Sequence, residues 1–183
     1  MEGSRLILIT GGCRSGKSEY AEQMAREAGI PVFYLATAVI TDPEMEKRVD
    51  LHKKRRPSSW KTIEEPLDLP RVMGNLKKQK GLLLVDSLSG WLANLMYRLG
   101  QEEGAWDRNR EKLILDLVEE FIKEVRDGDN SCLVVSDEVG WGLVPVTEEG
   151  RFFRDVNGRA NQMVARAAHQ VFLIAAGIPV PIK

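Results

Sequence analysis

The sequence predicts an α/β protein with a mainly parallel central sheet, helices on both faces and a C-terminal antiparallel edge hairpin. Short apolar runs alternate with longer amphipathic segments along the chain, which is the pattern of parallel strands joined by crossover helices. The first apolar run leads directly into a glycine-rich loop, and the last two lie close together, as the strands of a hairpin do.

The composition predicts one globular domain over residues 1–183. The chain is 43% hydrophobic and 29% charged, with 26 Lys and Arg against 27 Asp and Glu, values typical of a globular protein. This balance of charge argues against binding to nucleic acid or an anionic membrane. We expect no membrane span, because every apolar run is too short. The two cysteines form no disulfide framework and no signal-peptide pattern follows Met1, so we expect a reduced, cytoplasmic protein.

The N-terminal part alternates predicted strands with capped helices. Apolar runs predict strands at residues 6–10, 32–36 and 81–86. Helices are predicted at 16–28 and 42–56. Gly29 suits the left-handed position after the first helix. Asp42 and Pro43 suit the start of the second, and Pro57 disfavours its continuation.

The C-terminal part continues the same alternation. Helices are predicted at 88–98, 106–125 and 148–168, with a loop at 100–104 after the first of them. Strands are predicted at 131–136, 171–176 and 179–183. Pro179 and Pro181 have no N–H to donate, so the last strand should lie at an edge of the sheet. Trp91, Trp106 and Trp141 are interpreted as core or interface residues.

A phosphate-binding loop follows the first predicted strand. Its spacing is Gly11-x-x-x-x-Gly16-Lys17-Ser18, and we expect the whole loop to bind nucleotide: Gly11, Gly12, Cys13, Arg14, Ser15, Gly16, Lys17 and Ser18. Backbone amides and a helix N-terminus favour an anion there. Lys17 can reach the terminal phosphates, and Ser18 can ligate Mg²⁺. The alternative is a chance glycine turn, but its place between a strand and a helix favours nucleotide binding.

Three further residues near this loop have more than one interpretation. Asp86 ends a predicted buried strand, where a carboxylate suits a second contact to Mg²⁺; the alternative is an ordinary strand-end acid. Cys13 lies near a helix N-terminus, where a thiol pKa can fall, but we interpret it as a small loop residue. Arg14 either contacts phosphate or is solvated.

The second predicted helix contains a histidine among cations. Helical spacing places Val49, His52 and Arg56 on one stripe, with Arg48 one turn before His52. Nearby cations disfavour imidazolium, so His52 should stay neutral and nucleophilic. A neutral imidazole can attack phosphorus. The alternative, favoured by composition alone, is a solvated basic helix with an incidental histidine. His169 is interpreted as a helix-end or surface residue.

The sequence resembles the bifunctional adenosylcobinamide kinase/adenosylcobinamide-phosphate guanylyltransferase family of cobalamin biosynthesis. The resemblance covers nearly the whole chain. It is carried by ITGGCRSGKS at 9–18, YLATA at 34–38, the segment 42–66, LLLVDSLSGWLANLM at 82–96, EVGWGLVP at 138–145, FRDVNGRANQ at 153–162 and the C-terminal AGIPVPIK. The loop alone is common to many enzymes, whereas its combination with the His52 segment and EVGWGLVP is far more specific.

The resemblance implies a RecA-like fold, a homotrimer and two reactions. Adenosylcobinamide is phosphorylated by a nucleoside triphosphate, GTP or ATP. GMP then passes from GTP to that phosphate through a GMP-histidine intermediate at His52. Further nucleotide contacts are implied at Ala36, Thr37, Ala38, Lys53, Lys54, Arg55, Arg56, Glu64 and Asp86.

Two residues depart from the family pattern, and one helix face stays open to interpretation. Cys13 stands where alanine is frequent, and Asp137 where asparagine is common, which leaves the local role of Asp137 open. The roles of a polar helix face are open too: it contacts substrate phosphate or a neighbouring subunit, or it is solvated with an Asp155–Arg159 pair. Its residues are Arg151, Asp155, Arg159 and Gln162, with Arg154 beside them.

Two rival functions follow from the same residues. The first is a monofunctional P-loop kinase of a small hydroxyl substrate or a nucleotide, which would form no covalent nucleotide adduct. The second is a RecA-like module on nucleic acid, which the short length, balanced charge and lack of a base-stacking stripe disfavour.

Overall fold

The computed structural model describes residues 5–40, 43, 49–50, 53–101 and 104–183. The strands are β1 (Leu6–Gly11), β2 (Val32–Ala36), β3 (Lys61–Glu64), β4 (Leu82–Asp86), β5 (Ser131–Asp137), β6 (Gln170–Ala175) and β7 (Ile178–Pro181). The helices are α1 (Lys17–Glu27), α2 (Leu69–Leu76), α3 (Leu88–Gly100), α4 (Arg108–Arg126) and α5 (Glu148–Ala167).

The strands form one sheet in the order β3-β2-β4-β5-β1-β6-β7. All neighbouring strands are parallel except β6 and β7, which pair antiparallel. The predicted α/β class and its edge hairpin are therefore confirmed. The hairpin turns at Ala176 and Gly177, both with positive φ. The strand with Pro179 and Pro181 lies at the edge of the sheet. An edge strand has a neighbour on one side only, so a proline can lack its N–H there without losing a hydrogen bond between strands.

The core lies on both faces of the sheet, but unequally. Because side chains alternate along a strand, Leu6 and Leu8 of β1 face one side and Ile7 and Ile9 the other. The larger cluster packs under α2, α3, α4 and α5 and includes the fully buried Trp91. The smaller cluster packs under α1.

Two elements of the structure, β3 and α2, are not predicted from the sequence. β3 is a short edge strand of mostly exposed residues, so it lacks the apolar alternation that marks a strand. α2 has only eight residues, too few for a clear helical period. The residues at its start nevertheless favour a helix N-terminus. The Asp68 side chain accepts a hydrogen bond from the Arg71 amide, and Pro70 occupies the first turn.

The tryptophan predictions had different outcomes. Trp91 is in the core, where its indole donates to the Leu67 carbonyl at 2.8 Å. Trp106 is partly buried against the core. Trp141 is 76% exposed, so the core interpretation is wrong for this residue. It lies in the segment between β5 and α5, where the backbone follows no helix or strand that would turn a side chain inward.

The predicted helix at 42–56 falls largely outside the described residues, which omit 41–42, 44–48 and 51–52; residues 49–50 and 53–55 are helical. His52 is among the omitted positions.

Within the described ranges, no helix is both long and apolar enough to cross a membrane.

Candidate active site

The phosphate loop lies between β1 and α1, as its sequence requires. Gly16 precedes α1 with φ 97°, a left-handed conformation that favours glycine. A Cβ on Gly11 would come within 2.5 Å of the Ile174 carbonyl oxygen. No side chain in the described ranges caps α1, so the first amides of the helix remain available to an anion at the loop.

Lys17 lies inside the loop and is only 9% exposed. Its Nζ donates to the Gly12 carbonyl at 3.0 Å and pairs with the Asp137 carboxylate at 2.6 Å. The sequence left the role of Asp137 open; the structure places it beside the phosphate-loop lysine.

A polar network fixes the backbone of Asp137. Its amide donates to Ser89 Oγ at 2.6 Å. Its carbonyl accepts from the side-chain amides of Asn157 and Asn161, at 2.8 Å and 3.0 Å. The two asparagines are buried on α5, in the segment FRDVNGRANQ. This part of α5 therefore positions the end of β5.

The Asp86 side chain contacts both the phosphate loop and β2. Its Oδ1 accepts a hydrogen bond from Ser18 Oγ at 3.3 Å, and its Oδ2 accepts one from the Tyr34 hydroxyl at 2.6 Å. Burial and the neighbouring Asp86 charge raise the pKa of Tyr34 above its usual value, so the phenol keeps its proton and acts as a donor. Tyr34 is not predicted as a site residue from the sequence, because an aromatic residue in a buried strand gives no functional signal.

The Ser18 and Asp86 oxygens fit a magnesium site. Hydroxyl and carboxylate oxygens are the ligands that Mg²⁺ prefers, and it commonly takes only one or two from the protein and the rest from phosphate and water. Among the described residues, no group of three or more His, Cys, Asp or Glu could hold a metal by itself. The donor set is thus of the kind completed by a nucleotide.

A cavity of about 690 Å³ lies at the carboxyl ends of β2, β3, β4 and β5. It brings together many of the predicted site residues: Ser18, Ala36, Thr37, Ala38, Lys53, Arg56, Glu64 and Asp86. Asp137 lines it as well. Thr37 is buried there, and its hydroxyl donates to the Ser87 carbonyl at 2.8 Å. Ser18, at the end of the phosphate loop, therefore shares one space with Lys53 and Arg56, whereas loop residues 11–17 are not part of the cavity lining.

The basic segment Lys53–Arg56 is held by acidic and aromatic partners. Lys53 pairs with Glu64 at 2.8 Å, and Arg55 pairs with Glu19 at 2.6 Å. The Lys53 hydrogen bond and charge lower the pKa of Glu64. The Arg56 guanidinium lies 3.5 Å from the centre of the Tyr34 ring. Its Nε and Nη1 are buried and have no hydrogen-bond partner among the residues the structure describes.

Several predicted residues lie apart from the cavity lining. Cys13, Arg14 and Lys54 are exposed, and Arg55 pairs with Glu19 on α1. His169 is exposed after α5, and its Nδ1 accepts from the Leu6 amide at 3.1 Å, which agrees with its interpretation as a helix-end or surface residue.

Three residues of the polar face of α5 contact other parts of this chain. Arg159 pairs with Glu111 of α4 at 2.6 Å instead of Asp155. Asp155 lies 3.9 Å from Arg154. Arg151 donates to the Pro145 and Val146 carbonyls. Of the alternatives left open for this face, the Asp155–Arg159 pair is not formed, because α4 packs alongside and supplies a better placed carboxylate.

Comparison with known proteins agrees with this architecture. A family model described as cobinamide kinase/cobinamide phosphate guanyltransferase matches residues 7–182. The bifunctional adenosylcobalamin biosynthesis protein CobP of Pseudomonas aeruginosa is 39% identical over 176 residues, covering 96% of each chain. CobU proteins of Escherichia coli and Salmonella typhimurium are 34% and 37% identical over 181 residues, covering 97% of this chain and 99% of theirs.

Solved structures with a similar fold have little sequence in common with this chain. The RadB recombinase is 17% identical with a TM-score of 0.50, covering 93% of this chain and 75% of its own. An ATPase from the type III secretion system of pathogenic bacteria is 12% identical with a TM-score of 0.58, covering 93% and 52%. At such identities the likeness concerns the fold alone.

The sheet order and the phosphate loop define a RecA-like P-loop protein. The predicted fold class is confirmed at this level of detail. The match over nearly the full length places the chain more narrowly: it belongs to the cobinamide kinase/cobinamide phosphate guanyltransferase family and is a transferase of cobalamin biosynthesis.

Proposed function

We propose that this transferase phosphorylates adenosylcobinamide and then transfers GMP from GTP to the resulting phosphate, giving adenosylcobinamide-GDP. One observation carries the proposal: a single cavity is lined by the phosphate-loop residue Ser18 and Asp86 on one side and by Lys53 and Arg56 on the other. Such a cavity offers cations and hydroxyls to an extended chain of phosphates.

The first reaction is phosphoryl transfer to the aminopropanol hydroxyl. The hydroxyl oxygen attacks the γ-phosphorus, the bond to the β–γ bridging oxygen breaks, and the hydroxyl proton leaves to solvent or a base. Lys17 and the first amides of α1 stabilise charge on the phosphate oxygens. Ser18 and Asp86 would hold Mg²⁺, which neutralises charge on the β- and γ-phosphates when bound.

The second reaction requires a nucleophile that attacks the α-phosphorus and later leaves. We assign this role to His52, which lies outside the described residues but immediately before Lys53 in the chain. Its imidazole nitrogen bonds to the α-phosphorus as pyrophosphate leaves. The substrate phosphate oxygen then attacks the same phosphorus, the P–N bond breaks, and the imidazole is restored.

The basic segment Lys53–Arg56 supports the second reaction. The buried Arg56 nitrogens that lack a described partner support the proposed contact with an anion, because an unpaired buried donor is costly. Glu64, which pairs with Lys53 in the cavity wall, completes the proposed nucleotide contacts. GTP is the proposed guanylyl donor; GTP and ATP are both proposed for the kinase step.

We also propose that the enzyme is a cytoplasmic homotrimer. Nucleoside triphosphates, its proposed substrates, are cytoplasmic metabolites. The segment Trp141–Val146 exposes large apolar side chains: Trp141 at 76%, Leu143 at 96% and Val146 at 96%. Clustered exposed apolar side chains mark interaction sites, and this segment is the proposed subunit contact.

Covalent labelling with GTP tests the proposal. The unchanged protein, mixed with α-³²P-GTP and Mg²⁺, is expected to carry an acid-labile GMP label. His52→Ala should lose the label, and His169→Gln, which changes the only other histidine, should retain it. A label that survives His52→Ala would exclude His52 as the acceptor. If the unchanged protein has kinase activity but never carries the GMP label, it is a monofunctional kinase and the proposed transfer of GMP through a histidine is wrong.

A further inference from the structure

Tyr34 lies at the junction between the two sides of the cavity. It is on β2 and only 1% exposed. The Arg56 guanidinium lies 3.5 Å from the centre of its ring, and Trp60 stacks at a centroid distance of 6.3 Å. Aromatic stacking and cation–π contact favour a defined ring orientation. The ring is therefore held by the segment that follows His52.

The hydroxyl of the same side chain reaches the phosphate-loop side. It donates to Asp86 Oδ2 at 2.6 Å, while Asp86 Oδ1 accepts from Ser18 at 3.3 Å. The two carboxylate oxygens thus have partners on different elements, β2 and α1. Rotation of an aspartate carboxylate about its last torsion is otherwise broad, so the phenol restricts it.

We propose that Tyr34 is a positioning residue that sets the orientation of Asp86 toward the metal and nucleotide, and that links this orientation to Arg56. The inference rests on the proposed role of Asp86 beside Ser18. Tyr34 itself contacts neither substrate nor metal in this assignment. Its contribution is to hold one oxygen of Asp86 so that the other stays directed to Ser18.

The test is Tyr34→Phe, which removes the hydroxyl and keeps the ring that stacks with Arg56 and Trp60. Tyr97→Phe is the matched control, because Tyr97 is 72% exposed on α3 and lies away from the cavity lining. Binding of Mn²⁺ is measured by electron paramagnetic resonance in the presence of a non-hydrolysable GTP analogue. We expect Tyr34→Phe to weaken Mn²⁺ binding about tenfold, equivalent to about 1.4 kcal/mol, and Tyr97→Phe to leave it unchanged.

Kinase assays over a range of Mg²⁺ concentrations provide the second measurement. A positioning role predicts that Tyr34→Phe regains the kcat of the unchanged protein at saturating Mg²⁺, with a raised metal requirement. A melting curve of each variant accompanies the assay. A kcat that stays low at saturating Mg²⁺, together with a lowered melting temperature, would mean a structural role only and overturn the proposal.

The remaining outcomes separate this inference from the proposed function. Equal Mn²⁺ binding by Tyr34→Phe and the unchanged protein overturns the role of Tyr34 and leaves the proposed reactions standing. Failure of the unchanged protein itself to bind Mn²⁺ with the nucleotide overturns the assignment of Ser18 and Asp86, and with it the role of Tyr34.

Discussion

At the scale of single residues, the contact between Lys17 and Asp137 pairs the proposed phosphate-binding cation with a carboxylate, a group that repels phosphate. The pair is 2.6 Å apart, and the Lys17 side chain is 10% exposed while that of Asp137 is 36% exposed. A partly buried pair of this kind interacts more strongly than a surface pair. In the proposed nucleotide complex, Lys17 therefore exchanges some of its contact with Asp137 for phosphate oxygens.

Replacing Asp137 with asparagine should strengthen nucleotide binding. Asn has the same size and still accepts a hydrogen bond from Lys17, but it does not repel phosphate. We expect the dissociation constant for GTP, measured by calorimetry, to fall about tenfold, which is about 1.4 kcal/mol.

Asp155→Asn serves as the control for this experiment, because Asp155 is on the exposed face of α5 and 65% of its side chain is accessible. Weaker GTP binding by Asp137→Asn would show that the carboxylate assists the nucleotide, for example through the metal, and would contradict the prediction.

At the scale of elements, the short connection from β3 to α2 supports one wall of the cavity. Glu65 follows Glu64, the last residue of β3, and its side chain is only 15% exposed. Its carboxylate accepts hydrogen bonds from the amides of Leu67 and Asp68 and pairs with Arg71. Burial alone would raise its pKa, but these amide and Arg71 contacts outweigh it, and the pKa of Glu65 is lowered.

The stability of the protein should depend on pH through Glu65. A folded-state pKa below the unfolded value of about 4.5 stabilises the fold above that value, and the contribution is lost as the pH falls through the lower folded pKa. At neutral pH, Glu65→Gln should lower the free energy of unfolding by about 1.5–3 kcal/mol, the range for hydrogen bonds to a charged group. Urea unfolding at pH 7 and below pH 4 measures the difference.

Glu148→Gln is the control for Glu65→Gln, because Glu148 is exposed in the first turn of α5. The difference between Glu65→Gln and the unchanged protein should shrink on acidification, whereas that of Glu148→Gln should be small throughout. A Glu65→Gln difference that is constant with pH would contradict the assignment of the lowered pKa to this carboxylate.

At the scale of the whole molecule, the parallel register of the sheet assembles the site. Gly11 of β1 is paired with Asp137 of β5, and Ala36 of β2 with both Asp86 of β4 and Glu64 of β3. The carboxyl ends of parallel strands meet at one edge, which is where ligands bind in open α/β sheets. Residues far apart in the chain therefore line one cavity.

The proposed trimer gives the prediction at this scale. Trp141→Glu places a charge in the exposed apolar segment Trp141–Val146 and should weaken subunit association at least about 30-fold, the effect of removing an interface residue worth about 2 kcal/mol. Sedimentation velocity over a range of concentrations measures it.

Tyr97→Glu is the control for association, since it alters an exposed aromatic residue on α3. An unchanged protein that sediments as a monomer would exclude the trimer. A Trp141→Glu variant that associates as the unchanged protein does would exclude this segment as the contact.

Local chemistry made much of the fold predictable. Buried strands such as β1 and β4 are nearly continuous apolar runs. α1 follows a loop whose glycine spacing is typical of a phosphate-binding loop, and two of these glycines have positive φ. β3 and α2 were missed because a short exposed strand and an eight-residue helix contain too little periodicity. Both are stabilised by neighbours that are distant in sequence, β2 for the strand and α4 for the helix.

The sequence by itself determined the parallel α/β architecture, the phosphate loop and the family resemblance, because these depend on residue order over short stretches. Only the tertiary structure decided that Asp137 pairs with Lys17, that Tyr34 joins Asp86 to Arg56, and that α5 asparagines hold the end of β5. These contacts join residues from different strands and helices. Their partners are set by sheet order and helix packing, which periodicity along one chain does not specify.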